Sequence, residues 1–199
     1  MQWTDKGGTD FEQAPTGAQV ARCIRVVDIG TQAGEYQGKP THKRQVVIYW
    51  ELPNCLQTQG DHAGKPFVVA RFYSASLSEK ANLRHDLVAW RGREFTPEEL
   101  AGFDAKNILG KTCMLGLTDK NGKTRVTTVM QLPKGMPVPD QVNPTVFFSL
   151  DEFNQSVFDG LSKGIKAMIE ASPEFLAIGR AEEDVPRGAF DDMEDDIPF

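Results

Sequence analysis

At 199 residues the chain can hold one sizeable core with appendages, and its 40% hydrophobic and 25% charged content is that of a globular protein. Apolar runs such as Val46-Val47-Ile48-Tyr49-Trp50 fall far short of the roughly 20 residues that cross a bilayer, and "MQWTDKGGTD" has no basic-then-apolar leader, so a cytoplasmic protein with no membrane partner is expected. The net charge of -6 excludes a polyanionic partner only until it is divided along the chain: residues 16–135 carry 17 Lys and Arg against 11 Asp and Glu, and residues 181–199 carry one against eight.

In chain order, an N-terminal arm (1–15) precedes "GAQVARCIRVVDIG", a β-branched run closed by Gly17 and Gly30. "TQAGEYQGKPT" has the Gly, Pro and polar content of a long loop, and "HKRQVVIYWEL" and "KPFVVARFYSA" read as the second and third strands. In "LSEKANLRHDLVAWRGR" the residues Leu83, Leu87 and Trp90 recur at helical spacing, with Ser76 or Ser78 placed to cap the start. Thr96-Pro97-Glu98-Glu99 is a capping box that opens a second, short helix. "KTCMLGLTDKNGKTRVTTVMQL" gives two strands joined at Asn121-Gly122, the pair best suited to a turn with positive φ at both positions. Five strands with a helix between the third and fourth is the order of the five-stranded OB-fold barrel, which is the fold expected for residues 16–135; a small sandwich with an inserted helix is the alternative.

Pro133, Pro137, Pro139 and Pro144 stop regular structure, so 136–148 is expected to be a Pro-rich linker. Ser149-Leu150-Asp151-Glu152 reads as another capping box, before apolar residues at helical spacing from Phe153 to Ile169. A helical appendage over 149–180, bent or split at Gly160 and Gly164, is expected to pack on the barrel. The composition of 181–199 is that of a disordered acidic tail.

Little in the sequence suggests catalysis. "LGKT" at Leu109–Thr112 lacks the Gly a phosphate loop needs five residues earlier, where Ala105 stands, and a strand follows it. Cys23, Cys55, Cys113, His42, His62 and His85 show no metal-ligand spacing, so free thiols, no metal, no cofactor and no enzymatic activity are expected. The basic residues are more informative, because they interleave with aromatics on the strands. Cations that track phosphates beside aromatic faces that take bases are the chemistry of single-stranded nucleic-acid binding. Strand parity puts Lys43, Val47 and Tyr49 on one face of the second strand and Val46, Ile48 and Trp50 on the other, more apolar one. Tyr49 is therefore expected outside and Trp50 inside. Arg71 and Tyr73 share a face of the third strand and form the next candidate pair. Tyr36 and Lys39 in the long loop could close over a strand, and Lys123 and Arg125 flank the last hairpin.

The end of the chain, "DDMEDDIPF", resembles the acidic tip of bacterial single-stranded DNA-binding proteins, with Asp195, Asp196, Ile197, Pro198 and Phe199 matching and Glu194 replacing an Asp. The body does not resemble those proteins. In "VARCIRVVDIGTQ", "SLSEKANLRHDLVAWRGREFTPEEL", "FDAKNILGKTCML" and "LPKGMPVPDQVNPTVFFSLDEF" it is similar to a family of bacteriophage single-stranded DNA-binding and replication proteins. The resemblance implies a protein that coats single-stranded DNA in phage replication or recombination inside an infected bacterium. It also implies that the tip recruits host or phage replication and repair proteins. Physically, a C-terminal Phe places an aromatic anchor and a carboxylate at one point, suited to an apolar pocket rimmed by Arg or Lys. The alternative is an adaptor that docks on host replication proteins through the same tip and binds no DNA.

Overall fold

The computed structural model describes residues 12–183. The order of elements is β1 (Gly17–Tyr36), β2 (Lys39–Leu56), β3 (Pro66–Ser74), α1 (Asn82–Arg91), α2 (Pro97–Ala101), β4 (Thr112–Lys120), β5 (Lys123–Met130), β6 (Val146–Phe148), α3 (Gln155–Asp159), α4 (Lys163–Glu170) and α5 (Pro173–Glu183). The chain is mainly β, with the strands hydrogen-bonded in the order β3-β2-β1-β4-β5 and all of these pairs antiparallel. The sheet is not closed by a β3–β5 ladder; the barrel expected from the sequence reduces here to an open antiparallel sheet whose end strands approach each other. Helix α1 packs against both end strands, and Arg71 of β3 links all three, its Nη1 donating to the Thr127 carbonyl of β5 at 2.9 Å and lying 2.8 Å from Asp86 of α1. Among the described residues no helix is long and apolar enough to cross a membrane.

The predicted loop over 31–41 is instead the outer half of a long hairpin. Gln37 and Gly38 both lie in the left-handed region (φ 52° and 74°), which turns the chain in two residues and leaves Gly34, Glu35 and Tyr36 paired with Thr41, Pro40 and Lys39. Pro and Gly punctuation suggested a loop, but a tight turn needs only two such residues and the rest extend the ladder. The Asn121-Gly122 turn also has positive φ at both positions (57° and 72°), as expected.

Register shifts at Cys23/Arg25 and Asp28/Gly30 bend β1. Its first part, Gly17–Arg22, pairs with β4, and Arg25–Val27 pairs in parallel with β6, while β2 runs along the opposite edge. The last residues of the Pro-rich segment thus join the sheet as a strand. The segment before them is tied down as well. Glu51, fully buried, accepts from the Asn143 backbone N–H at 2.9 Å, its Nδ2 at 2.8 Å and the Val142 N–H at 3.2 Å, and Arg22 Nη2 donates to the Pro139 carbonyl at 2.8 Å.

Two cores result, one on each side of the sheet. The inner face packs Val26, Ile48, Trp50, Leu52, Val69, Leu115 and Val129 against Leu87 and Trp90 of α1. The outer face of β1 and β2 contributes Val27, Ile29 and Val47, which are covered by Phe148, Leu150, Phe158, Leu161, Ile165 and Ile169. The helical segment is therefore docked on the sheet. Its start differs from expectation: Ser149 Oγ accepts from the Asp151 N–H in a turn, and the first helix begins only at Gln155, where Asn154 Oδ1 accepts from the Val157 N–H at 3.0 Å. Helix α1 likewise starts after Ala81, which has no side-chain cap, so neither Ser76 nor Ser78 takes that role. The Thr96 capping box forms as read, with both reciprocal bonds present.

Candidate nucleic-acid interface

Ladder register separates the two faces of the strands. Odd-numbered residues of β2 from Lys43 to Glu51 face outward and lie opposite the even-numbered residues of β3, with Val47 paired to Phe72, Tyr49 to Ala70 and Glu51 to Val68. Trp50 points inward and is fully buried, as parity predicts. Tyr49 is on the outer face, half-buried at the rim of the helical cover. The Arg25 guanidinium sits 5.4 Å from the Tyr49 ring centroid, a cation–π contact on the neighbouring strand. Burial pushes the Tyr49 hydroxyl up in pKa, opposed by the charge of Arg25.

Arg71 and Tyr73 do share a face of β3, but it is the inner one. Tyr73 is 4% exposed, its hydroxyl donates to Asp86 Oδ2 at 2.7 Å, and the Arg71 guanidinium lies 5.1 Å from its ring centroid. Burial first, and then the Asp86 contact, hold the Tyr73 phenol well above its ordinary pKa; burial also raises Asp86, with Tyr73 and Arg71 pulling it back down. The candidate pair is thus turned toward α1, with Tyr73 buried and Arg71 paired internally. The ring of Tyr73 has no free face for a base, and Arg71 is committed to Asp86 and Thr127. The physical reason is that α1 covers this side of β3 near its C-terminal end, so the polar side chains find their partners inside.

The exposed residue of this strand is Phe72, at 47%, followed on the same face by Val68 at 45%. Beside Phe72 runs a cleft of about 910 Å³ along the β2–β3 edge, lined by Lys43, Phe72, Ser74, Ser76, Lys80 and Asn82 among others, with no carboxylate among the described residues of its wall. Lys43 and Lys80 are both exposed. An accessible aromatic face, ammonium groups and hydroxyl and amide groups thus come together in one groove.

The other described sequence candidates on the hairpins lie outside the lining of this groove. Lys39 is exposed at the tip of the β1–β2 hairpin, paired in the ladder with Tyr36, whose side chain lies outside the described part of the structure. Lys123 and Arg125 are exposed on the β4–β5 hairpin, where Thr124 is tied to the arm residues Gln13 and Ala14. Asp195, Asp196, Ile197, Pro198 and Phe199 lie outside the described residues. Sequence reasoning does not select Phe72 or Lys80, which line the candidate groove, or Arg25, which lies against Tyr49. Phe72 stands in view between Arg71 and Tyr73, but β3 is apolar on both faces (Phe67 and Val69 against Val68 and Ala70), so alternation alone does not orient it.

No protein-family model matches the chain, and no curated protein matches it.

Proposed function

We propose that the chain is a non-enzymatic single-stranded DNA-binding protein of bacteriophage type. The observation that carries this reading is the groove in which exposed Phe72 stands beside the exposed lysines Lys43 and Lys80. Cations beside an open aromatic face hold single strands without reading sequence, each stacked base contributing about 1–3 kcal/mol. Strand order, the helix placed between β3 and β4 and the approach of β3 to β5 support an OB-type barrel, a fold whose β2–β3 face takes oligonucleotides. The protein would coat single-stranded DNA during replication or recombination in the cytoplasm of an infected bacterium. Its terminal residues Asp195–Phe199 would recruit host or phage replication and repair proteins, the acids steering the tip to a basic surface and Phe199 filling a pocket there.

One observation favours the adaptor reading instead: helices α3–α5 cover Val27, Ile29 and Val47, and so take part of the outer face of β1 and β2 away from any strand. Fluorescence anisotropy of a labelled single strand and of the matching duplex, titrated with the full chain at moderate salt, separates the two. The single strand should bind on the order of tenfold or more tightly than duplex, with affinity falling steeply as salt rises. Equal, weak binding to both, together with retained capture of replication proteins by the tip, would establish the adaptor.

A further inference from the structure

A second cleft, of about 620 Å³, opens at the other end of α1 and is lined by Arg91, Arg93, Glu99, Phe103, Lys111 and Gln131 among others. The groove at Phe72 includes Ala81 and Asn82, where α1 begins, and this cleft includes Trp90 and Arg91, where it ends. Ten helical residues separate the two by about 15 Å.

The second cleft is built around one carboxylate. Arg93 grips Glu99 with both terminal nitrogens, Nη1 to Oε2 at 3.0 Å and Nη2 to Oε1 at 2.7 Å, and Arg91 Nη2 donates to the same Oε1. The Thr96 backbone N–H adds a bond at 3.1 Å, and these contacts, led by Arg93, hold the Glu99 carboxyl down to a pKa of about 2. Glu99 neutralises one charge and fixes two guanidiniums side by side. Arg91 is held further by the Phe95 and Phe103 rings, 4.3 Å and 5.5 Å from its guanidinium carbon, and its Nη1 is buried with no hydrogen-bond acceptor among the described residues. Lys111 is exposed on the wall. Three cations against one carboxylate leave the described lining of the cleft positive.

Lys111 belongs to "LGKT", which fails as a phosphate loop. The backbone agrees with that exclusion, since the Gly110 N–H donates to the Cys23 carbonyl and the Lys111 N–H to the Ile108 carbonyl, leaving no nest of free amides there. Recognition of an anion at this cleft therefore runs through side chains: with the guanidinium forks engaged by Glu99, the net positive charge of the cluster and the exposed Lys111 ammonium supply the attraction to phosphate. Two other clefts differ in kind: one is mostly apolar, with Arg44 paired to Asp28 and Asp151, and the other holds Glu79 and Glu94 beside Arg84.

We infer that Arg91, Arg93 and Lys111 form a second phosphate-binding subsite, which takes the backbone of the same single strand that occupies the Phe72 groove and leads it along α1. This rests on the strand-binding reading above. The subsite contributes charge and no stacking, so it should register in the salt dependence of binding.

The test uses the full chain with Arg93→Gln and Lys111→Gln combined, both positions being exposed, and Lys111→Glu as a second variant. Thermal unfolding checks the fold. Anisotropy with a labelled single strand of about 20 nucleotides should show binding weakened on the order of tenfold, and the slope of log K against log salt should become shallower by about 0.7 for each phosphate no longer neutralised. Phe72→Ala should weaken binding with the slope unchanged. Lys111→Glu should weaken binding more than Lys111→Gln. Wild-type affinity and slope in the double variant would overturn the subsite while leaving the strand-binding reading intact. Failure of the wild-type chain to bind single strands would remove both. If the double variant kept strand binding but lost a labelled peptide of residues 191–199, the cleft would be an acidic-peptide site and the proposal would be wrong.

Discussion

Phe72 and Tyr73 are adjacent in sequence and opposite in role, because consecutive strand residues point to opposite faces. Phe72→Ala should lower single-strand affinity by about 1–3 kcal/mol, the value of one stacked base, while the thermal midpoint stays close to wild type. Tyr73→Phe should do the reverse. It removes the donor to Asp86 Oδ2 inside the structure and should cost about 1–3 kcal/mol in denaturant unfolding, with strand affinity unchanged provided the protein remains folded. A second residue-scale expectation concerns Glu99, whose carboxyl is depressed from an ordinary 4.5 to about 2. A depressed carboxylate stabilises the fold fully above its unfolded value and loses that contribution as pH falls through its folded value. The difference in thermal midpoint between wild type and Glu99→Gln should therefore be constant above about pH 5 and should shrink as the pH falls from about 4.5 toward 2. A difference that does not vary over that range would show that the Arg91–Glu99–Arg93 cluster does not depend on the carboxylate charge.

At the scale of elements, the contact between β1 and the helical segment is closely fitted. Gly30 has φ +71°, and a Cβ placed there would meet Ser172 Cβ at 2.4 Å and a Glu174 oxygen at 2.9 Å. Glu174 itself accepts from the Thr31 N–H at 2.9 Å and the Thr31 hydroxyl at 2.6 Å. Gly30→Ala should therefore loosen α4 and α5 from the sheet, seen as faster proteolysis within 149–183. Ile169→Ala, at a fully buried position of the same core, should cost about 2–5 kcal/mol. The elements themselves are largely legible in the sequence. Val, Ile and aromatic runs mark the strands, Thr96 and Glu99 mark a helix start, and Asn121-Gly122 marks a turn, because each is decided by residues a few positions apart. What escapes is decided at long range. The Gln37-Gly38 hairpin needs a partner strand to be distinguished from a loop, and the pairing of Val146–Phe148 with Arg25–Val27 joins segments far apart in the chain, beyond any local periodicity. Of the interface, Tyr49 and Trp50 can be oriented because one face of β2 is clearly more apolar. The orientation of β3 depends on α1, which no pattern within β3 encodes.

At the scale of the whole molecule, charge is segregated more sharply than the net value of -6 suggests, with the positive excess in 16–135 and eight acids in residues 181–199. If the proposed function holds, strand binding and partner capture should therefore be separable by deletion. Removing Ile197–Phe199 should leave strand affinity intact or slightly higher and abolish capture of replication proteins, read by anisotropy and by pull-down from an infected lysate. A marked fall in strand affinity would mean that the tip belongs to the DNA site and that the two roles are not divided between body and tail.

The outer patch of Val27, Ile29 and Val47 is covered by residues that run from Phe148 to Ile169. A growing chain on the ribosome completes β1 and β2 long before it has the means to hide that patch. At about 5–20 residues per second, the roughly 120 residues still to come take about 6–24 s. During synthesis the nascent sheet thus shows water an apolar surface that the finished protein never does. Chains that terminate early, between β5 and β6, keep it bare and exposed to chaperones or aggregation, even though every strand of the β1–β5 path is already present.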